Sequence, residues 1–436
     1  MRVLMLSWEY PPVMVGGLGR HVHALSTALA AAGHTVTVVT RHQPGAPREE
    51  TLDGVRVVRV PEDPPLLGGA PEPSSGVAAP ATETLLAWTM ALNHALTRAA
   101  LRAVAGETYD VVHAHDWLVA HTAVALAEHL SAGATRHPGI PLVATIHATE
   151  AGRHQGWVRG ELSRGIHSVE CWLVHRASRV LVCSGYMRWE VTRVLRADPS
   201  TVEVIPNGVD SHAWRVPRPA VAEARSRFAG AGPLLGYAGR LVYEKGVQDL
   251  VGALPELRRR HPGLRLVVAG DGPYRRQLQD LAHALRLHRA VSFTGFVGSD
   301  LPAVLAATNA VVVPSIYEPF GMVALEAVCA GAPLAVAATG GLAEIVEPGV
   351  TGVTFPAGDP DGLAAAVNRL LTDRTGARRM ARQALTMVNE RYSWSAIAAR
   401  TAHAYRSAAQ APAPADRPLE IAIPNTNLLA RAATTA

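Results

Sequence analysis

The stretch Glu318-Pro-Phe-Gly-Met-Val-Ala-Leu-Glu326 places two carboxylates eight positions apart around the predicted start of an apolar helix. If all eight steps were helical, the two side chains would be displaced by ~12 Å along the axis and rotated by roughly 80°, too far apart to share a proton. Each is therefore expected to meet a different part of one long ligand. The N–H groups of Phe320, Gly321 and Met322 are expected to bind a phosphate at the positive end of the helix dipole. The alternative is that both glutamates only balance that dipole.

A basic pair lies at the end of another predicted strand. In Gly239-Arg-Leu-Val-Tyr-Glu-Lys-Gly246, the guanidinium of Arg240 and the ammonium of Lys245 are five positions apart. This is the place where the charge of a leaving phosphate would be neutralised. A hexose joined through a diphosphate to a ribose fits these two segments together. Two solvated surface cations are the alternative interpretation.

Two glycine-rich turns follow predicted strands and precede predicted helices. Gly16-Gly17-Leu18-Gly19 and Gly340-Gly341-Leu342 allow the backbone to approach a ligand and to direct N–H groups at an anion. The first turn lacks the G-x-G-x-x-G spacing of a dinucleotide fingerprint. A plain tight turn explains either motif when it is taken alone.

Histidines follow two further predicted strands. His147-Ala-Thr-Glu150, with Arg153 just beyond, offers polar groups that could hold a sugar. His113-Ala-His115-Asp116 is similar to the H-x-H-x-D ends that ligate metal ions in hydrolases. The carboxylate is displaced from that spacing, so we predict no metal and assign His115 and Asp116 a sugar-contacting or structural role.

Short runs of Val, Leu and Ile alternate with longer helical patterns along the chain, which is typical of parallel strands with crossover helices. A first series of six strands and a second series of five predict two doubly wound α/β domains. The predicted strands are 3–7, 36–39, 55–60, 111–114, 142–146 and 179–183, then 234–238, 264–269, 291–294, 310–313 and 334–337.

The length of 436 residues also favours two domains, because single cores stop growing at ~250 to 300 residues. Turn residues cluster between 206 and 219, where the boundary is expected. Ligands of such sheets bind beyond the carboxyl ends of the strands, so the interdomain cleft is the expected site. Residues 61–80 are predicted to form a mobile loop and residues 410–436 a disordered tail.

Composition excludes several classes of protein. The net charge is +5 and the basic residues are dispersed, so no nucleic-acid partner is expected. Cys171, Cys183 and Cys329 form no CxxC pair, which favours a reducing compartment. No apolar run reaches the ~18 residues of a spanning helix, and the start does not read as a signal peptide. We expect a cytoplasmic protein without an integral membrane segment.

Taken together, these segments resemble the retaining glycosyltransferases of GT-B architecture called family 4, whose mark is E-x7-E, here Glu318 and Glu326. The resemblance covers residues 1–408, and the motifs follow the order of the family. Segments 7–12, 16–19, 113–117 and 147–150 look closest to the actinobacterial α-1,4-glucosyltransferases of glycogen and methylglucose lipopolysaccharide synthesis.

The resemblance implies a GT-B fold, an α/β architecture of two doubly wound Rossmann-like domains facing an interdomain cleft. Residues 1–212 would form the acceptor-side domain, completed by a C-terminal helix at 393–409, and residues 213–392 the nucleotide-sugar domain. The implied catalytic residues are Arg240, Lys245, Glu318 and His147. The implied donor-binding residues are Gly17, Phe320, Gly321, Met322, Glu326, Gly340, Gly341 and Leu342. The implied acceptor-side residues are Glu9, Gly16, His115, Asp116, Glu150 and Arg153.

Within these sets, the resemblance assigns the diphosphate to Arg240 and Lys245, the ribose to Glu326 and the transferred hexose to Glu318. One position departs from the pattern. Bacterial starch and glycogen synthases carry a lysine two residues before the glycine pair, where this chain has Met14, so a strict preference for ADP-glucose does not follow.

The implied reaction is transfer of glucose from UDP- or ADP-glucose to the 4-hydroxyl of an α-1,4-glucan, with retention and without a metal or another cofactor. One alternative is transfer of mannose or N-acetylglucosamine to a lipid or inositol acceptor. A metal-dependent hydrolase at His113 and His115 and a non-catalytic glucan-binding protein are the others. Homo-oligomerisation is left open.

Overall fold

The computed structural model describes residues 1–14, 16–63, 82–131, 140–411 and 421, without the side chains of 82–84 and 131. They fall into two compact units. Unit 1 runs from Met1 to Gly208 and resumes at Trp394, and unit 2 runs from Val209 to Ser393. The boundary between Gly208 and Val209 lies within the predicted turn-rich segment 206–219, four residues before the predicted domain end at 212. Most of the predicted loop at 61–80 and of the predicted tail at 410–436 lies outside the described residues.

Each unit contains one sheet, built mostly from buried apolar strands. The strands of unit 1 are β1 (Arg2–Leu6), β2 (Thr35–Arg41), β3 (Glu49–Leu52), β4 (Val55–Val60), β5 (Val111–His115), β6 (Leu142–Ile146), β7 (Arg179–Val182) and β8 (Val202–Val204). Those of unit 2 are β9 (Leu234–Ala238), β10 (Arg265–Ala269), β11 (Val291–Gly295), β12 (Ala310–Val313), β13 (Leu334–Ala337) and β14 (Val353–Phe355).

Helices connect successive strands. In chain order they are α1 (Gly17–Ala31), α2 (Thr82–Ala103), α3 (Ala120–Ser131), α4 (Glu150–Arg153), α5 (Gly160–Arg176), α6 (Gly185–Val194), α7 (Arg218–Phe228), α8 (Val247–Arg260), α9 (Arg275–Ala284), α10 (Leu301–Ala306), α11 (Met322–Cys329), α12 (Leu342–Ile345), α13 (Pro360–Thr372), α14 (Arg374–Arg391) and α15 (Trp394–Gln410). No helix within the described ranges combines the length and the apolar character needed to cross a bilayer.

The strand order explains where ligands can bind in each unit. The sheet of unit 1 has the order β3-β4-β2-β1-β5-β6-β7-β8, and only β3 is antiparallel to its neighbour. The sheet of unit 2 has the order β11-β10-β9-β12-β13-β14 and is parallel throughout. Successive strands are added on one side of β1 and then, from β5 onward, on its other side, and the same change occurs between β9 and β12 in unit 2. These are the topological switch points at which doubly wound sheets bind ligands.

All eleven predicted strands are present, with ends shifted by at most two residues. The prediction of two doubly wound α/β domains is confirmed. Three strands were missed for local reasons. β3 is a charged, antiparallel edge strand, which carries no buried apolar run. β8 and β14 are three residues long, too short for a period to be recognised.

The last helix belongs to unit 1. Tyr405 of α15 is fully buried, and its hydroxyl lies 2.7 Å from Nδ1 of His113 on β5. Ile397 and Ala398 join the core that contains Leu25 of α1. The chain therefore returns to the first sheet after completing the second.

Candidate functional site

An ion pair joins the loops that follow β9 and β12, the two strands at the switch point of unit 2. Nζ of Lys245, after β9, lies 2.8 Å from Oε2 of Glu318, after β12, and the two side chains are only 19% and 15% exposed. Gly246 ends the turn with φ +67°, and a Cβ there would overlap the carbonyl oxygen of Pro314. Close approach of the two loops therefore requires glycine at this position.

Further hydrogen bonds fix the Glu318 loop. The Ser315 hydroxyl donates to Oε2 of Glu318 at 3.1 Å. The N–H groups of Ile316 and Tyr317 both donate to the carbonyl oxygen of Glu244, at 2.8 and 3.2 Å. The loop after β12 is thus tied to the turn that carries Lys245 through both backbone and side chains.

Glu326, the second of the two glutamates eight positions apart, lies inside a helix. α11 begins at Met322, between the two glutamates as expected, because Gly321 adopts φ +117° and separates the helix from the Glu318 loop. Glu326 is 2% exposed, one turn into α11. The N–H groups of Phe320, Gly321 and Met322 donate to no other described residue. Free donors at a helix start provide a site for an anion.

The glycine turn at 340–341 lies directly on this helix start. The N–H of Gly341 donates to the carbonyl oxygen of Glu318 at 3.0 Å, and a Cβ on Gly341 would lie 2.5 Å from Cα of Phe320. The side chain of Leu342 is fully buried and packs over Gly321. Leu342 can therefore reach a ligand only through its backbone.

Arg240, unlike Lys245 and Glu318, does not join these contacts in unit 2. Its side chain is exposed and makes no ion pair or hydrogen bond with the part of the chain that the structure describes. Its carbonyl oxygen accepts a bond of 2.9 Å from the Tyr237 hydroxyl. Burial, together with the Glu318 charge, raises the pKa of Tyr237, and Arg240 partly opposes this. The structure brings Lys245, but not Arg240, into contact with Glu318.

In unit 1, the first glycine turn is held by a buried carboxylate. Oε2 of Glu9 accepts a bond of 3.0 Å from the N–H of Gly16, which caps α1. A Cβ on Gly19 would lie 3.0 Å from the sulfur of Met14 and 3.1 Å from Glu9. Glu9, predicted on the acceptor side, thus organises the turn that begins at Gly16 and Gly17.

Four histidines meet near the switch point of unit 1. His113 and His115 lie on β5, His147 follows β6, and His21 lies on α1, one turn after Gly17. The ring centres of His21 and His147 are 4.8 Å apart, and Nδ1 of His115 lies 3.1 Å from Nε2 of His147. Burial lowers the pKa of all four, to about 3 for His147, where the Arg153 charge adds to the effect.

The geometry does not support a hydrolase centred on His113. Its Nδ1 faces the Tyr405 hydroxyl and its Nε2 faces the Thr145 hydroxyl, each at 2.7 Å, so both ring nitrogens are occupied. The carboxylate of Asp116 accepts a bond of 2.8 Å from the N–H of His147. His113 is therefore excluded as a ligand, whereas His115 keeps a ring nitrogen and Asp116 keeps a carboxylate oxygen that could bind an ion.

The segment from His147 to Arg153 is held by carboxyl groups from three elements. Besides the bond to Asp116, Oε1 of Glu170 on α5 accepts from the N–H of Glu150 at 2.8 Å. Oε1 of Glu190 on α6 accepts from the Thr149 hydroxyl at 2.6 Å. The predicted residues His115, Asp116, His147, Glu150 and Arg153 are thus gathered at one edge of the sheet.

Burial shifts the pKa values of the carboxyl groups around the His147 segment. It raises the pKa of Asp116 to about 6, although Arg153 and the N–H of His147 oppose the effect. It also raises the pKa of Glu170 well above its usual range. For Glu150, burial is outweighed by hydrogen bonds from His154 and Ser163 and by the charges of His154 and Arg153, so its pKa is lowered. Burial therefore favours the neutral form of Glu170.

Replacing Glu170 by glutamine should change the free energy of unfolding by less than about 1 kcal/mol, because the amide keeps the oxygen that accepts from Glu150 and because burial favours an uncharged group at this position. Glu170→Met should cost about 1–3 kcal/mol, because the Glu150 N–H loses its buried acceptor. Urea unfolding followed by tryptophan fluorescence measures both. Equal losses in the two variants would show that Glu170 acts as a charged carboxylate.

Sequence reasoning missed several of these residues. His21, Glu170 and Glu190 lie inside amphipathic helices, where a lone polar residue carries no distinctive spacing. Lys245 was predicted from its place at a strand end, and a second signal supports it: it is the only lysine in the whole sequence among 41 basic residues. Arginine occupies all the remaining positions among these 41, so position 245 alone has a side-chain primary amine.

Comparisons with known proteins agree with this architecture. The sequence model of "Glycosyltransferase Family 4" matches residues 15–213, and that of "Glycosyl transferases group 1" matches residues 222–387. The glycogen synthase of Mycobacterium tuberculosis is 46% identical over 420 residues, covering 94% of this chain and 95% of that protein. The alpha-maltose-1-phosphate synthase of Mycolicibacterium smegmatis is 32% identical over 427 residues, with coverages of 93% and 99%.

Among solved structures, the sucrose-phosphate synthase of Thermosynechococcus elongatus superposes with a TM-score of 0.77 at 26% identity, covering 93% of this chain and 98% of that one. The predicted family and fold are confirmed. With its motifs at the carboxyl ends of two parallel sheets and a relative of nearly equal length at 46% identity, this chain belongs to glycosyltransferase family 4 and has the GT-B fold.

Proposed function

We propose that this glycosyltransferase moves glucose from UDP- or ADP-glucose to the 4-hydroxyl of an α-1,4-glucan, with retention of the anomeric configuration and without a metal ion. The observation that carries the proposal is the Lys245–Glu318 ion pair beside the donor-rich start of α11. The identity to a glycogen synthase over nearly the whole chain supports glucose and a glucan.

In this proposal, unit 2 binds the nucleotide sugar. Lys245 and the N–H groups at the start of α11 would hold the diphosphate, with Arg240 closing over it from the surface. Glu326 would accept hydrogen bonds from the ribose hydroxyls, and Glu318 would contact the hexose. Lys245 would then stand between phosphate and hexose, because its ammonium already contacts Glu318.

Unit 1 would bind the acceptor and border the reacting sugar. Gly17 and His147 are the residues nearest the chemistry in this assignment. Asp116 and Glu170 hold the segment that carries His147, Glu150 and Arg153. Because the pKa of His147 is lowered to about 3, its imidazole is neutral and can exchange hydrogen bonds with sugar hydroxyls.

The chemical step would proceed on one face of the sugar. The bond from the anomeric carbon to the diphosphate oxygen breaks, and the acceptor O4 bonds to that carbon from the same face. The acceptor proton passes to the departing diphosphate oxygen. The protein positions the two substrates and stabilises the charge that develops on the diphosphate.

Incubation with UDP-glucose or ADP-glucose and maltooligosaccharides tests the proposal. We expect release of the nucleoside diphosphate and an acceptor longer by one α-1,4-linked glucose, with turnover unaffected by EDTA. GDP-mannose and UDP-N-acetylglucosamine with inositol phosphate or lipid acceptors are the comparison. Transfer only in the comparison reactions, or no transfer to glucan, would refute the assignment.

A further inference from the structure

Three imidazoles from three separate elements converge in unit 1. His21 lies on α1, His115 at the end of β5 and His147 after β6, and one ring nitrogen from each lies within 4.8 Å of the other two. The ring centres are 4.8, 5.4 and 5.6 Å apart. We refer to His21, His115 and His147 as the histidine triad.

This spacing is close to that of a metal site. With zinc–nitrogen bonds of about 2.0–2.1 Å and tetrahedral angles, three ligand nitrogens are about 3.3 Å apart and their ring centres about 5 Å apart. The nitrogens of His115 and His147 are already 3.1 Å apart. On metal binding, the largest nitrogen–nitrogen distance in the triad would have to shorten by at most about 1.5 Å, and rotation of the imidazole rings is sufficient for this.

The chemical state of the triad suits a metal ion as well. The hydrogen bond between Nδ1 of His115 and Nε2 of His147 places a proton on one of these two nitrogens. That proton would move to the opposite nitrogen of the same ring when both nitrogens bind an ion. Nε2 of His115 is buried and meets no hydrogen-bond partner within the described residues. Asp116, bonded to the N–H of His147, provides a nearby acidic group. His147 is only partly buried, which leaves an approach for the ion and a position for water.

We propose that the histidine triad binds Zn²⁺, or a divalent ion of similar ligand preference, and that its occupation inhibits glycosyl transfer. A ring nitrogen of His147 that coordinates a metal cannot bond to a sugar hydroxyl, so metal and sugar compete for the same imidazole. The binding rests on the geometry of the triad alone. The inhibition also rests on the proposed role of His147 in transfer.

Metal-free protein titrated with Co²⁺ tests the binding. We expect one equivalent of Co²⁺ with the strong visible absorption of a tetrahedral site, which Zn²⁺ then abolishes by displacement. His21→Asn and His115→Asn should each weaken Co²⁺ binding by at least about tenfold. His23→Asn is the matched control, because His23 lies on the same helix but pairs with Asp53 outside the triad.

Weak octahedral absorption only, or equal binding by His21→Asn and His23→Asn, would overturn the site. A saturable rise in the melting temperature of the wild-type protein with Zn²⁺ is a second readout that does not depend on how well the variants fold. Stoichiometric Zn²⁺ that leaves glucosyl transfer unchanged would overturn the inhibition. If the protein transferred no sugar at all, the proposed function would fail, whereas the Co²⁺ spectra would still decide the metal site.

Discussion

If Lys245 binds the diphosphate as proposed, replacing it by alanine should lower the kcat of glycosyl transfer by about 10²–10³-fold, the usual effect of removing one group that stabilises developing negative charge. The ammonium is only 19% exposed and is fixed at 2.8 Å from Glu318, so no reorganisation is needed when charge appears on the leaving diphosphate. Arg240 cannot replace it, because its exposed side chain is not held against Glu318. Nucleotide release under saturating substrates measures the change.

Arg260→Ala is the control, since Arg260 is an exposed cation at the far end of α8 and pairs only with Glu256 among the described residues. Its kcat should equal that of the wild type. A Lys245→Ala variant with near wild-type kcat would remove Lys245 from the chemistry.

The single lysine also allows a test without mutagenesis. Among amino groups, an acetylating reagent can modify only Lys245 and the α-amino group, because the sequence contains no other lysine. Hydroxylamine treatment removes any acetyl ester formed on tyrosine. Acetylation removes the charge of Lys245 and should inactivate the enzyme, and UDP or ADP should slow both inactivation and labelling of the Lys245 peptide in mass spectrometry. Rapid labelling that leaves activity intact would contradict the proposed role.

Acidification from pH 7.5 to pH 5.5 should destabilise unit 1 by about 3 kcal/mol. Burial lowers the pKa of His21, His113, His115 and His147, so the folded state keeps them neutral while the unfolded chain takes up protons below pH 6.5. Stability is therefore lost as the pH falls through 6.5. Each histidine costs about 1.4 kcal/mol at pH 5.5, or about 5–6 kcal/mol for the four.

Two carboxyl groups oppose this loss. Burial raises the pKa of Asp116 to about 6 and that of Glu170 well above its usual range. Because the folded state binds these protons more tightly than the unfolded state, acidification over the same interval returns about 0.8 kcal/mol through Asp116 and at most about 2.7 kcal/mol through Glu170. The destabilisation by the four histidines is larger than the stabilisation by the two carboxyl groups, so the net effect of acidification is a loss of stability.

Urea unfolding at the two pH values measures the effect, and seven of the eight tryptophans report on unit 1, since only Trp214 lies in unit 2. His113→Gln should reduce the difference between the two pH values by about 1.4 kcal/mol. His23→Asn, outside the cluster, should leave it unchanged. Stability that is constant or higher at pH 5.5 would show that the cluster takes up protons in the folded state.

Much of the site was accessible from the sequence because parallel sheets place functional groups at strand ends. Lys245 and Glu318 were predicted as partners of one ligand from their positions after two apolar runs, and the structure places them in contact. The start of α11 was predicted between the two glutamates, and Gly321 at φ +117° fixes it at Met322. The exposure of Arg240 could not be predicted, since spacing does not determine where a long side chain points.

The sequence by itself determined the class of the fold, the glycine turns and the spacing of the two glutamates, because each depends on neighbours within one or two turns of chain. Only the tertiary structure decided that β1 adjoins β5 and that β9 adjoins β12, which creates the two switch points. It alone assembled the histidine triad, whose members are separated by up to 126 positions and depend on the packing of α1 against the sheet. Burial, a property of the whole unit, then sets the charge on those rings.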